Sequence, residues 1–518
     1  MDTQSLIPMA HPAGELVSSS PETLAAMAID TPGGRIHARW DSQAPVTPLG
    51  QAIFFIEFLK TANLYEPWVE DCPLSYESNH APSKKDVLGT LFLSILAGHH
   101  RYAHVTAIRA DQVLPGLLSM SKVVSEDSLR RAFCDADPPL CAAWMHKHLK
   151  AGYEPLLYEP WVLDVDTTVK TLFGHQSGAV VGYNPHKPGR PSHAYHTYIM
   201  ARTRLVLDVE VQSGDRSHSK HTMEGLWAYL ESLPREAWPT LMRGDCDWGT
   251  ERQMSAAEAH DLPYLFKIRQ TSNVRRLIER TFDRRDWADA GQGWEGAQDT
   301  LRLSGWTRSR PVAVLRRELQ GDLTLACEAP PGQMVFAFVE TVDPVKRYEY
   351  AVLVTPQPLA IATVAQLYRD RADAENVLDE LKNQWGWCGY TTHDLTRCQV
   401  TARAVALIYN WWSLFARLAV PDRHAEAITS RPLLLHAIGR QTHHGGQTIV
   451  ALTSLHGKGE AVRRALTSIN ACLRDLRANA EQWTAPELWR RLLSRIFAPL
   501  LDGRLLRPPP LLENPTGL

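Results

Sequence analysis

The chain has 518 residues, which at about 150 residues per domain is enough for roughly three domains and a substantial buried core. Its 55 Lys plus Arg against 57 Asp plus Glu give a net charge of −2, so any affinity for polyanions must come from local patches. A hydrophobic content of 44% and a charged content of 22% are ordinary for a globular protein and exclude a disordered or collagen-like chain.

Cysteine spacing and apolar runs exclude further classes. The eight cysteines form no C-x-x-C pair, so neither a disulfide framework nor a zinc site is indicated. The longest apolar runs are 87–97, too short to span a bilayer, and 404–420, which contains Asn410 and Arg417. The N-terminus lacks the features of a secretory signal. We therefore expect a cytoplasmic protein with no membrane segment.

The sequence of the first third of the chain predicts an arm followed by helices. Residues 1–50 are rich in Pro, Ser, Thr and Gly and predict a loosely ordered arm. Residues 51–155 carry apolar side chains at helical spacing. Ser125 precedes two acids and then two bases, as a helix dipole prefers. We expect a small helical bundle here.

Near residue 158 the spacing of apolar side chains changes from the helical period to strand-like alternation. Residues 161–169 alternate and are β-branched, as strands are. Further strand-like runs lie at 193–201, 205–211, 240–243 and 264–268, with helical patterns at 222–233 and 251–259. Adjacent strands followed by alternating strands and helices predict a mixed α/β sheet.

After about residue 270 the alternation of strands and helices is interrupted, and the sequence then becomes helical. Short strand-like pieces at 300–303, 312–316, 335–342 and 348–354 predict a β-rich insertion over 270–355. A long helical pattern starts at Ile361 and runs to about Trp385, and helices continue to about residue 500.

One helical segment carries an unusual polar row. Tyr368, Arg371, Glu375 and Lys382 are three, four and seven residues apart, so a helix places them on one face. A separate apolar face can pack on the sheet. A carboxylate beside two cations and a phenol suits a metal-dependent phosphodiester site, in which Glu375 binds a divalent ion. The other three would hold phosphate oxygens.

The pattern Y-x2-R-x3-E-x6-K resembles that of the DDE transposases of bacterial insertion sequences, and it matches at all four positions. The resemblance covers about residues 155–420. It implies a ribonuclease-H-like core with the first catalytic Asp on the first strand, the second after a later strand, and the Glu beyond an insertion. Asp166, Asp245 and Glu375 fit that order.

Two of these assignments stay open. Asp164 and Asp166 lie two apart on one strand and so point to the same side. Asp166 is favoured because the family's Asp-x-Thr pattern fits it, and Asp245 is favoured over Asp247 because it is nearer the strand end.

The resemblance implies a fold, a cofactor and partners. The fold is α/β, a ribonuclease-H-like mixed sheet with helices on both faces, interrupted by a β-rich insertion, with helical N- and C-terminal regions. The expected divisions are an arm at 1–50, a DNA-binding region at 51–155, the catalytic core at 156–269 and 356–395, the insertion at 270–355 and a helical region at 396–518. Asp166, Asp245 and Glu375 would hold two Mg²⁺ ions, with Mn²⁺ as a substitute.

The expected function is cleavage of the element's ends and their joining to target DNA. Partners would be double-stranded DNA, as terminal inverted repeats and as target, and a second copy of the chain in the DNA complex. The setting would be the bacterial cytoplasm, at the nucleoid. Excision through a DNA hairpin is implied by the resemblance alone. The alternatives are a metal-dependent nuclease, an immobile transposase descendant, and a non-catalytic DNA-binding regulator.

Several other features have competing interpretations. The histidines near residues 99–104 and 443–444 lack metal-ligand spacing and are expected to be surface or core residues. Basic clusters at 267–285 and 463–495 are either solvated faces or contacts to DNA phosphates. Trp294 and Trp306, in the insertion, are candidates for stacking on a flipped base.

Overall fold

The computed structural model describes residues 27–38, 41, 44–76, 78, 80–185, 187–216, 218–319, 347–387, 389–453 and 457–509. The chain divides into two compact units, residues 1–45 and 46–518. In the described ranges, no helix has the length and apolar character needed to cross a membrane. The expected strand at 335–342 lies outside these ranges.

The first unit contains a β-hairpin. Strand β1 (Met27–Thr31) pairs antiparallel with β2 (Gly34–Ala38), and Gly34 in the turn has a φ of +112°, which favours glycine. Asp30 and Arg35 form an exposed ion pair across the hairpin. The arm expected to be loosely ordered therefore contains regular structure, although an isolated two-stranded hairpin is only marginally stable.

The second unit contains the other helices and strands of the described residues. The helices are α1 (Ala52–Thr61), α2 (Tyr65–Glu70), α3 (Lys84–Leu96), α4 (Val105–Ile108), α5 (Leu114–Leu117), α6 (Glu126–Arg131), α7 (Pro138–Tyr153), α8 (His218–Glu231), α9 (Glu251–Ala259), α10 (Ser272–Phe282), α11 (Ile361–Arg369), α12 (Ala372–Gln384), α13 (Leu395–Ala419), α14 (Ala427–Leu434), α15 (Gly459–Ala478) and α16 (Ala485–Ile496).

The strands of this unit are β3 (Val46–Thr47), β4 (Val162–Thr171), β5 (Val180–Val181), β6 (Pro191–Met200), β7 (Leu205–Ser213), β8 (Leu241–Gly244), β9 (Tyr264–Lys267), β10 (Ala288–Gly291), β11 (Trp294–Leu301), β12 (Arg310–Glu318), β13 (Tyr348–Val354), β14 (Gly439–His444) and β15 (Gln447–Leu452).

Ten strands form one mixed sheet. Its centre has the order β7-β6-β4-β8-β9, in which β6 is antiparallel to both β4 and β7, while β8 and β9 run parallel to β4. Strands β13, β12, β11 and β10 continue the sheet beyond β9 as an antiparallel series, and β5 adds to β6. The predicted α/β fold with a mixed sheet is confirmed.

Helices cover both faces of this sheet. On one face Leu241 and Leu265 pack in a cluster with Ile361 and Val364 of α11. On the other face the main core joins neighbouring strand residues to α9 and α10, and its members there include Met242, Phe266, Met254 and Val274. Alternation along each strand produces the two faces, because successive side chains point to opposite sides.

Helix α13 lies along the edge strand β7. Asn410 accepts a hydrogen bond from the Val206 backbone N–H at 2.9 Å and donates to the Val206 carbonyl at 2.7 Å. Gln399 likewise accepts from the N–H of Val211 and donates to the carbonyl of Val209. Two side-chain amides therefore satisfy backbone groups that an edge strand would otherwise leave unpaired.

The structure differs from the sequence interpretation at two points. The expected continuous helix from 361 to 385 is two helices, α11 and α12, separated at Asp370 and Arg371. Short i to i+3 hydrogen bonds, from Arg371 N–H to Tyr368 and from Ala374 N–H to Arg371, tighten the chain there. The C-terminal region also contains the hairpin β14–β15, which joins β3 in a small separate sheet.

Candidate active site

Asp166 lies on the central strand β4 and faces a buried arginine. Its carboxylate accepts a hydrogen bond from Arg371 at 2.7 Å and another from the Thr167 backbone N–H at 2.7 Å. Its side chain is 13% exposed. Burial raises the pKa of Asp166 to about 6, with Arg371 opposing that rise and the charges of Asp245 and Glu375 adding to it.

Asp164, two residues earlier, is engaged elsewhere. Its side chain is fully buried, and both of its oxygens accept hydrogen bonds at 2.6 Å from Arg243 on the neighbouring strand β8. Arg243 also donates to the Leu367 carbonyl in α11. Asp164 therefore belongs to an ion pair that ties two strands to a helix, and Asp166 is the acid of β4 that faces the polar cluster.

Asp245 directly follows β8. The last aligned pair of the parallel strands β4 and β8 is Val165 with Gly244, so Asp166 and Asp245 come next on each strand. The Asp245 carboxylate accepts a hydrogen bond from the Asp247 backbone N–H at 2.9 Å. The carboxylate of Asp247 instead forms an ion pair with Arg269.

Arg371 connects the sheet to helix α12. Its guanidinium is 4% exposed and donates to both Asp166 and Glu375, each at 2.7 Å. Burial disfavours its charge, but Asp166, Tyr368, Asp245 and Glu375 outweigh burial and raise the pKa of Arg371. Glu375 is 64% exposed, so its second oxygen faces solvent.

Tyr368 belongs to the same cluster and Lys382 does not. Burial raises the pKa of the half-buried Tyr368 hydroxyl to about 12, with Arg371 opposing the rise and Asp245 and Glu375 adding to it. Lys382 is half-buried, and the described ranges contain no hydrogen-bond or ion-pair partner for it. It lies seven residues beyond Glu375, which is roughly 10 Å along a helix. Five of the six predicted site residues therefore converge.

A family model described as the transposase DDE domain group 1 matches residues 73–473, most of the chain. The chain belongs to this DDE transposase family. The predicted resemblance to DDE transposases is thereby confirmed, and so is the general expectation that the chain is a transposase.

A solved structure that this DDE transposase resembles is the piggyBac transposase synaptic complex with hairpin DNA. The two chains share 11% sequence identity, with a TM-score of 0.37, over 88% of this chain and 87% of that one. No curated protein matches the chain.

DDE transposases generally use divalent metal ions, and the donor set here fits such an ion in its chemistry. Asp166, Asp245 and Glu375 offer hard oxygen ligands, and burial, with a smaller contribution from the charges of the other two acids, raises the pKa of Asp166. In this geometry Arg371 supplies the balancing positive charge. In the described part of the transposase, no group of three His, Cys, Asp or Glu side chains is arranged to hold a metal ion.

Other predicted features have structural roles. His99 bonds Ser94, and burial lowers the pKa of His99 to about 4, as for a neutral core histidine. Trp306 is buried beneath Arg310. Arg317 lies 5.0 Å from the centre of the Trp294 ring. None of these observations supports a metal or base-stacking site.

Sequence reasoning missed Arg243 and the ion pair of Arg204 with Asp373. Arg204 donates to Asp373, in the first turn of α12, at 2.6 Å. No local pattern marks these residues, because their partners are distant along the chain.

Proposed function

We propose that this DDE transposase cleaves the ends of a bacterial insertion sequence and joins them to target DNA by two-metal phosphodiester chemistry. The observation that supports this proposal is the meeting of Asp166, Asp245 and Glu375 around the buried Arg371. Three acids from two strands and a helix repel one another, so their site favours a cation that balances their charge.

Asp166, Asp245 and Glu375 are the proposed metal ligands. Two Mg²⁺ ions, with Mn²⁺ as a substitute, would supply Lewis acidity to the attacking and leaving oxygens of the phosphodiester. The role of the protein is to hold the three carboxylates in register. Adjacent parallel strands fix Asp166 against Asp245, and the start of α12 brings Glu375 to them.

Tyr368, Arg371 and Lys382 are the proposed DNA-binding residues. Arg371 has a planar donor array that suits phosphate as well as carboxylate, so it can transfer its hydrogen bonds from the acids to the DNA backbone. Lys382 has an ammonium group free of protein partners in the described ranges and suits a more distant phosphate. Tyr368 can donate its phenolic hydrogen, because a tyrosine hydroxyl is protonated at neutral pH.

The proposed partners are the terminal inverted repeats, the target DNA and a second copy of the chain in the DNA complex. The proposed setting is the bacterial cytoplasm at the nucleoid, and the proposed excision route passes through a DNA hairpin. Within the chain, 51–155 is the proposed DNA-binding region. The strand order β7-β6-β4-β8-β9 agrees with a ribonuclease-H-like core divided by the insertion at 270–355.

The decisive experiment measures cleavage and strand transfer on candidate element-end DNA with Mg²⁺. We expect wild type to cleave and join. Glu375→Gln should cleave about 1,000-fold more slowly, because metal-assisted charge stabilisation is worth several kcal/mol. Asp379→Asn, at an exposed acid one turn further along α12, is the matched control and should behave as wild type.

The rival functions give different products in the same assay. A nuclease or immobile descendant would cleave without joining. A regulator would bind the end DNA, and Glu375→Gln and Asp245→Asn would leave that sole activity unchanged. Either result would contradict the proposed transposition.

A further inference from the structure

A cavity of about 610 Å³ lies beside the candidate active site, at the ends of β4, β8 and β9. Thr167 and Cys246 line it, and they are the chain neighbours of Asp166 and Asp245. Its lining also includes Tyr183, Ile268 and several small residues. Its volume is in the range of a small-ligand site, and sheet edges at the carboxyl ends of strands are usual positions for ligands.

Two aromatic rings, one of them in the wall of this cavity, are unusually exposed. Phe173 is 72% exposed and Tyr183 is 71% exposed, the highest values among the large hydrophobic side chains that the structure describes. Both lie in the connection between β4 and β6, and Tyr183 lines the cavity itself. Isolated exposed hydrophobic side chains are ordinary, but two exposed aromatic rings in one connection between strands, one of them lining a cavity, indicate a binding surface.

Two cations accompany the Phe173 ring. The ammonium of Lys187 lies 4.8 Å from the centre of the Phe173 ring, and the guanidinium of Arg190 lies 5.9 Å from it. Neither cation has an acidic partner among the residues that the structure describes. Asp247, an acid of the cavity, is neutralised by Arg269. The surface thus combines exposed rings with two cations that have no acidic partner in the described ranges.

The connection that carries these side chains is anchored at its base. Asn184 is buried, donates to the Thr171 hydroxyl at 3.1 Å and accepts from the Lys187 backbone N–H at 3.0 Å. Ser177 is held through its carbonyl by His193 and through its N–H by the His393 carbonyl. An anchored loop loses little conformational freedom when it binds a ligand.

We propose that Phe173, Tyr183, Lys187 and Arg190, here called the aromatic platform, bind unpaired nucleotides of single-stranded DNA. Exposed aromatic rings next to unpaired cations are the features with which proteins bind single strands, the rings stacking on bases and the cations contacting phosphates. The bases of a duplex are stacked on one another, so a duplex can contact the cations through its phosphates but cannot stack its bases on the rings. Binding of this kind tolerates any base sequence.

The biological reason for such a platform depends on the proposed function. Strand transfer requires the cut end to stay near the acids, and the cavity that Tyr183 lines also includes Thr167 and Cys246, the chain neighbours of Asp166 and Asp245. Holding the cut strand would keep its end beside the acids. The binding property itself can be tested without any cleavage.

The test is fluorescence anisotropy of labelled oligo(dT) of about 16 nucleotides with the full-length protein in EDTA. We expect Phe173→Ala and Tyr183→Ala each to weaken binding by roughly 5- to 100-fold, the range for loss of one stacked base. Tyr183→Phe keeps the ring and should bind as wild type does. Ile428→Ala removes an exposed apolar side chain from α14, outside the proposed DNA-binding region, and is the control.

A blunt duplex of the same length completes the experiment. Affinity for the duplex should change less than twofold in the two alanine variants. The proposal is overturned if wild type does not bind oligo(dT), if the alanine variants bind it as well as wild type, or if duplex and single-strand binding fall together. Because neither metal nor element ends are present, wild type can pass this test and fail the cleavage test, or the reverse.

Discussion

The guanidinium of Arg204 lies 2.6 Å from the carboxylate of Asp373, which joins the turn between β6 and β7 to the first turn of α12. The turn is unusual because two arginines, Arg202 and Arg204, have left-handed backbones with φ of 64° and 61°. Tyr409 donates to the Arg204 carbonyl, and Arg417 donates to the Arg202 and Thr203 carbonyls. Backbone strain of this kind persists only where surrounding contacts impose it.

We predict that Arg204 positions Glu375 by holding the start of α12. Arg204→Ala should slow cleavage at least tenfold and raise the Mg²⁺ concentration needed for half-maximal rate, while the Kd for end DNA stays within about twofold. The charge-swapped double variant Arg204→Asp with Asp373→Arg should recover part of the loss. A uniform loss of DNA binding, with unchanged Mg²⁺ dependence, would contradict a positioning role.

Without Arg371, the repulsion among Asp166, Asp245 and Glu375 should destabilise the fold. In EDTA we expect Arg371→Ala to lower the free energy of unfolding by about 3 kcal/mol, because it leaves Asp166 buried without its cation. Mg²⁺ should restore stability in this variant more than it stabilises wild type, where Arg371 competes for the carboxylates. Urea titrations with and without Mg²⁺ measure both effects, and equal Mg²⁺ responses would refute the competition.

Asp164 and Asp166 should respond oppositely to neutralisation. Asp164→Asn breaks a fully buried bidentate pair with Arg243 and should cost about 3 kcal/mol of stability. Asp166→Asn should abolish cleavage and keep the fold. Thermal unfolding together with the cleavage assay separates the two residues. A stable, inactive Asp164→Asn protein beside an active Asp166→Asn protein would reverse the assignment.

The stability gained by Asp166→Asn should depend on pH. The folded pKa of Asp166, about 6, exceeds the ordinary value of about 4, so the folded state binds the proton more tightly between these values. Wild-type stability attributable to this group is therefore present below about pH 4 and is lost as pH rises through 6.

The asparagine variant lacks this titration. Its stability relative to wild type in EDTA should rise from near zero at about pH 4 to about 3 kcal/mol at about pH 7. Urea denaturation at several pH values checks the prediction. A difference that does not change with pH would show that Asp166 titrates normally.

Local sequence patterns were sufficient to predict the strands of the sheet around the acids. Alternation predicted β8 and β9 nearly to the residue, and the helical period predicted α9. Alternation cannot, however, distinguish Asp164 from Asp166, which share a side of β4. Only the position of Arg243 on the adjacent strand separates them, and that pairing joins residues 79 apart in the chain.

The break between α11 and α12 also could not be predicted from the local sequence. The sequence around Arg371 contains no Gly or Pro that would end a helix, so the helical period predicted one continuous element. The side chain of Arg371 nevertheless reaches Asp166, 205 residues away, and such tertiary contacts override local propensity. The hairpin β14–β15 did carry a local signal, the pair Gly445-Gly446 between alternating residues.

The amides of Asn410 and Gln399 along β7 have a consequence for self-assembly. A bare outer strand is a template on which another chain can polymerise by adding its own strand. Here that template is already occupied by a helix of the same molecule. Strand addition by another copy of this protein is therefore blocked where these two amides cover β7.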